Sequence, residues 1–196
     1  MHISLRHTEQ VGRYLLNGSE IVQSDSEKDI GVHIDPNLNF QKHMQTKINK
    51  ANSTLGIILR TMQYKDANII LALYKALVRP HLEFANQVWC PILIKDITLL
   101  ESIQRRMTRA IPGLQHLSYE ERLRRLDLPT LAYRRLRGDF IETYKILTGK
   151  YDPGVTNNLF ELAEDRRTRG HQLKVKRGPA RTNRRNKSFF IRTVDP

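Results

Sequence analysis

Few residues in this chain could do chemistry, and their spacing argues against most of it. Two-metal nucleotidyl transfer needs at least two carboxylates converging on Mg²⁺. The sequence has no Asp-Asp pair, and adjacent acids occur only at Glu120-Glu121 and Glu164-Asp165. The first pair reads as a helix cap, and Asp29 and Asp35 read as turn and cap residues near strand ends. A Cys–His nucleophile needs an oriented base beside the thiol. The single cysteine, Cys90, lies nine residues after His81, which is about 13 Å along a continuous helix at 1.5 Å per residue. That is too far for proton transfer. The seven histidines lack a ligand spacing such as H-x₃-H, and the ten glycines are scattered rather than gathered into a phosphate loop. A lone cysteine also excludes an internal disulfide.

Basic positions remain. Thirty-three Lys and Arg against twenty Asp and Glu give a net charge of +13, a balance suited to a polyanion. Three arginine groups fall on three successive predicted helices: Arg105, Arg106 and Arg109; Arg122, Arg124 and Arg125; Arg134, Arg135 and Arg137. Glu101, Glu120, Glu121 and Asp139 could neutralise them as surface ion pairs; otherwise the helices could lie along a phosphate backbone. His43, Lys47 and Lys50 share one flank of an earlier helix, outside its core stripe. From Asp165 to Arg192 eleven basic residues meet one acidic one. Within that stretch Arg166, Arg167 and Arg169 join the candidate phosphate contacts, and the lack of an apolar period predicts mobility until a partner is met.

These side chains need elements to hold them. Residues 1 to 34 read as strands. HISLR alternates, Tyr14-Leu15-Leu16 leads into Asn17-Gly18, and Glu20-Ile21-Val22-Gln23 follows; Asn-Gly is a strong hairpin signal. Asp29 to Ile34 reads as one further strand. From Asn37 the period becomes helical, with Phe40, Met44, Ile48, Ala51, Leu55, Ile58 and Met62 on one stripe. Asp66 caps a second helix, in which Ile70, Leu73, Tyr74, Leu77, His81, Phe84, Ala85 and Val88 hold the period through Pro80. The proline should kink that helix, with Pro91 ending it and Trp89 filling core. Asp96 caps a third helix, with Leu99, Leu100, Ile103, Met107, Ala110 and Ile111 inward and Pro112-Gly113 as its stop. Ser118 and Glu121 form a capping box. Pro129 suits the first turn of the last helix, whose Leu136, Phe140, Tyr144 and Leu147 mark one face and whose cap is Gly149. Tyr151-Asp152-Pro153-Gly154 is a turn.

The segments EKDIGVHIDPNLNFQKHMQTKINKANSTLGIILRT, LYKALVRPHLEFANQVWCP and LESIQRRMTRAIPGLQHLSYEERLRRLDLPTLAYRRLRGDFIETYKILTGKYDP resemble the C-terminal part of reverse transcriptases from animal non-LTR retrotransposons of the jockey type. The resemblance also takes in Tyr14 to Gly18 and Arg167 to His171, and spans residues 1 to about 192. It implies the last palm strands followed by a helical thumb and extension. The family's polymerase motif, an aromatic residue, any residue and two aspartates, is absent here, so no catalytic residue carries over; Mg²⁺ would belong to the missing palm. The family pattern continues beyond Phe189-Phe190-Ile191-Arg192, which implies truncation at both ends.

Together these readings predict an α+β, mainly α chain: a palm-sheet remnant over 1–35, a thumb-like bundle of about five helices over 36–150, and a basic, largely irregular tail over 151–196. Ile21, Val22, Ile30, Val32 and Ile34 would lack their sheet partners. The expected function is non-catalytic, sequence-independent binding of a nucleic-acid backbone, with no cofactor in this chain. Nucleic acid and the missing palm and fingers are the expected partners. No run is long and apolar enough for a membrane, and the start has no signal-peptide pattern, which gives an intracellular expectation. A helical protein-interaction module and a relic without function are the alternatives.

Overall fold

The computed structural model describes residues 13–163 and 173–194. The fold is α+β and mostly α: two short antiparallel hairpins precede a helical bundle. In the first hairpin β1 (Leu15–Leu16) pairs with β2 (Ser19–Glu20). Asn17 and Gly18 both take positive φ, 50° and 80°, as a two-residue turn of this hand requires. Asp29 to Ile34 is not one strand. It is the turn and second arm of another hairpin, β3 (Glu27–Asp29) with β4 (Val32–Ile34). Ile30 and Gly31 turn there with φ of 42° and 82°, and a β-branched residue at positive φ gives no turn signal in sequence. The hairpins belong to two separate sheets. Val32 and Ile34 pack onto the helical core, contrary to expectation, while Ile21, Val22 and Ile30 are exposed. The HISLR segment lies outside the described residues.

The long helix α1 (Gln41–Thr61) buries Met44, Ile48, Ala51, Leu55 and Ile58, the stripe its period predicts. Asp35 organises the approach: its carboxylate accepts the backbone N–H groups of Asn37, Asn39 and Phe40 at 2.7 to 3.1 Å. Asp66 caps α2 (Ala67–Leu73) by accepting from Asn68 and Ile69 N–H.

After α2 the chain departs from a simple proline kink. Tyr74–Val78 forms a π turn, α3 (Arg79–Glu83) follows, and Ala85 at φ 55° breaks the run before α4 (Asn86–Trp89). The wide turn, closed by Arg79 N–H to Tyr74 O, relieves the clash that Pro80 would make with the carbonyl four residues back. It also resets the inward face. Ile70, Tyr74, Val78 and Leu82 are buried at intervals of four, whereas Leu77, Phe84 and Val88 are exposed. Trp89 is fully buried, as expected, and its indole N–H donates to the Phe84 carbonyl that the break leaves free.

Helix α5 (Ile94–Ala110) begins two residues before Asp96, which sits in its first turn rather than capping it. It buries Leu100, Ile103 and Met107, while Leu99 is exposed. Gly113 at φ 79° turns the chain away. Ser118 and Glu121 form the complete capping box of α6 (Tyr119–Arg125). The last long helix, α7 (Leu131–Leu147), is capped by Thr130, so Pro129 stands before the cap instead of in the first turn. Its inward face is Leu131, Arg135, Asp139 and Thr143; Phe140 and Tyr144 point to solvent. Beyond it, Gly149 N–H reaches Ile146 O and Lys150 N–H reaches Lys145 O, a left-handed stop of the kind glycine favours. Asp152 caps a single turn, α8 (Pro153–Thr156).

Among its described residues the basic segment is largely irregular, with a few short ordered pieces. Val175 bridges to Leu162, and α9 (Asn183–Asn186) and α10 (Phe189–Arg192) follow. Phe189, Ile191 and Arg192 are buried. Arg192 donates through Nε to Asp139 at 2.8 Å and through Nη2 to the Asn86 carbonyl at 3.2 Å. This buried pair pins the chain's end to α4 and α7, which the absence of an apolar period did not foretell.

Candidate nucleic-acid interface

Helices α1, α5 and α6 build a groove of about 550 Å³ walled by Arg105, Arg106, Arg109 and Arg122 over Leu59 and Ala110. Positions 105, 106 and 109 point outward because 103, 104, 107 and 108 point in; the helical period fixes both faces together. Arg105 stacks on the Tyr119 ring at 4.6 Å, and Arg106 donates to Asn52 at 3.1 Å, close to Gly56 of α1. Arg109 is exposed. None of the three has an ion-pair partner among the described residues. Arg122 lies beneath them, buried, donating to Thr108 Oγ1 and the Leu117 carbonyl.

A polar network sets the angle of this groove. Tyr74 donates to Gln104 Oε1 at 2.8 Å, Gln104 Nε2 donates to Tyr119 Oη and the Pro129 carbonyl, and Tyr119 donates to Glu101. Glu101 also accepts the Leu131 N–H at the start of α7. One buried carboxylate thereby ties α5, α6 and α7, and burial raises the pKa of both tyrosines, with the Glu101 hydrogen bond adding to the rise at Tyr119. Glu101, Glu121 and Asp139 are therefore committed to this network, to the capping box and to Arg192, and they do not neutralise the α5 arginines.

The other expected binding residues do not join this groove. His43 is fully buried rather than on an accessible flank. Its Nδ1 accepts the His33 N–H at 3.2 Å, its ring lies 5.1 Å from that of Trp89, and its Nε2 has no partner. Burial, then the nearby Lys47 and His33, lower its pKa to about 4. The covering surfaces, β4 and the returning α4, are distant in sequence, so helical spacing could not reveal them. Lys47 is half-buried with its amine over the Phe84 ring, and Lys50 is exposed. Both influence His81. At 100° per residue they lie on the side of α1 opposite Asn52, Gly56 and Leu59.

On α7 the charges divide: Arg134 and Arg135 are consumed, whereas Arg137 is exposed with no ion-pair partner among the described residues. Arg134 makes a two-pronged pair with Glu83, which Arg79 also approaches at 3.8 Å; hydrogen bonding to Glu83 raises the arginine's pKa. Arg135 is buried, burial lowers its pKa, and its Nη1 has no hydrogen-bond partner. Arg166, Arg167 and Arg169 lie outside the described residues. Sequence reasoning gave no sign of Asn52, Leu59 or Glu83, whose roles arise from packing between helices.

Burial raises the pKa of the Cys90 thiol. Among the described residues no three His, Cys, Asp or Glu side chains gather as a metal group, and no helix is long and apolar enough to cross a membrane.

No family model matches the chain, and no solved structure matches it. It is similar to the uncharacterized protein B0403.1 of Caenorhabditis elegans, 26% identical over 135 residues, covering 67% of this chain and 68% of that protein.

Proposed function

We propose that this chain is a reverse-transcriptase-like thumb segment that holds the backbone of RNA or DNA without regard to base sequence and carries no polymerase chemistry of its own. One observation carries the binding half of this reading: Arg105, Arg106 and Arg109 stand outward in one groove with no acid to neutralise them among the described residues. Phosphate contacts of this sort give affinity and register without reading bases. The net charge of +13 would add long-range attraction. The family half rests on the three long segments that resemble jockey-type reverse transcriptases and on the missing pair of adjacent aspartates.

Fluorescence anisotropy with a labelled RNA–DNA duplex of mixed sequence tests the reading. Binding should be saturable, indifferent to base sequence, and should weaken linearly in log–log form as salt rises, because each neutralised phosphate releases counterions. Affinity that stays constant from low to moderate salt would remove the proposal.

A further inference from the structure

The docked segment around α10 creates a second surface, which shares no lining residue with the α5 groove. Where α9 and α10 lie against the segment around α4 and the approach to α1, a hollow of about 680 Å³ opens over Phe40, Val88, Ile92 and Phe190. A second hollow of about 650 Å³ extends it past Leu93 and Ile94, sharing Ile92, Lys187 and Ile191 with the first. The floor is apolar and open: Val88 is 55% exposed, Ile94 82% and Phe190 40%. Exposed apolar surface this continuous marks a binding place more often than chance. The walls are held in place, since Arg192 bonds Asp139 from beneath and Phe160, Phe189 and Phe190 pack edge to face at 5.2 to 5.9 Å.

Charge and shape select the occupant. Arg181, Arg185 and Lys187 line the first hollow. Arg185 donates to the Pro179 carbonyl, and none of the three has an acid partner among the described residues. A cationic rim beside an apolar floor favours a ligand that is apolar in the middle and anionic at its flanks. Two hollows joined end to end make a trench, which suits a chain segment better than a compact molecule. We propose that this trench docks a segment of a partner protein whose bulky apolar side chains are flanked by acidic residues.

The test selects binders of the full chain from a random phage-displayed peptide library, with the Val88→Glu variant as counter-target. The substitution is at an exposed position, and circular dichroism and the melting temperature should match the parent. Selected peptides should share leucine, isoleucine or phenylalanine bordered by aspartate or glutamate. A labelled synthetic copy should lose about tenfold or more in affinity, some 1.4 kcal/mol, against Val88→Glu and, separately, against the Arg181→Glu/Lys187→Glu double variant. Enrichment equal on the variant, a neutral or basic consensus, or no enrichment would overturn the proposal. Displacement of the peptide by a single-stranded oligonucleotide or by laurate as effective as by unlabelled peptide would do so too.

Discussion

Helices α5 and α7 each carry adjacent arginines, Arg105-Arg106 in one and Arg134-Arg135 in the other, and the fold treats them oppositely. On α5 both stay at the surface, steadied by a tyrosine face and an asparagine. On α7 one is held by Glu83 and the other is buried. The helices have the same length, seventeen residues, so the cause is tertiary. Helix α5 satisfies its inner face with leucine, isoleucine, methionine and a glutamine network. Helix α7 turns Arg135 and Asp139 inward against α4 and α10. A count of positive charge overstates the charge that a polyanion could meet.

The sharpest way to break this contrast is Asp139→Ala. It leaves the Arg192 guanidinium buried without its carboxylate, which should cost about 3–5 kcal/mol, read as a lower urea midpoint. Loss of less than about 1 kcal/mol would show that α7 and the chain's end are not joined as described.

His43 extends the comparison to pH. Its folded pKa of about 4 lies below the ordinary value of 6.5, so the unfolded chain binds the extra proton between those two values. Its contribution is complete above pH 6.5 and declines as pH falls toward 4, by about 3 kcal/mol in all at 1.36 kcal/mol per unit. In His43→Gln, stability should fall less steeply over that window than in the parent. Equal slopes would place the imidazole in water.

Arg135→Met should be neutral or stabilising by about 1 kcal/mol, since it removes an unsatisfied buried donor and keeps volume. Smallest of all, Lys47→Gln with Lys50→Gln should alter nucleic-acid affinity by less than about threefold, because these lysines face away from the α5 groove. A larger loss would mean that nucleic acid wraps both sides of α1.

Local signals made the helices legible. The α1 stripe, the Asp66 cap, the Ser118–Glu121 box, the Asn17-Gly18 turn and the Gly113 stop depend on neighbours within a few residues, and each appears in the structure. What sequence reading missed depends on distant segments. The π turn before Pro80 shifts the inward face to Val78 and Leu82, and no apolar period announces an extra residue in a turn. The α7 face was misread because its interior is polar, Arg135, Asp139 and Thr143, while its apolar Phe140 and Tyr144 are exposed. For the candidate site the outward α5 arginines were legible, since leucine, isoleucine and methionine fix the opposite face. His43, Arg134 and Arg135 were not, because β4, α4 and Glu83 reach them only in the folded chain.

The central claim is that Arg105, Arg106 and Arg109 of α5 meet phosphate and that Arg134 and Arg135 of α7 do not. Parallel salt titrations of duplex binding test it most directly, using the parent, the Arg105→Gln/Arg106→Gln/Arg109→Gln variant and Arg134→Gln. At roughly 0.9 per phosphate contact, the triple variant should lower the slope of log affinity against log salt by about 2.7, and Arg134→Gln should leave it unchanged. A slope unmoved by the triple variant, or reduced as much by Arg134→Gln, would contradict the account.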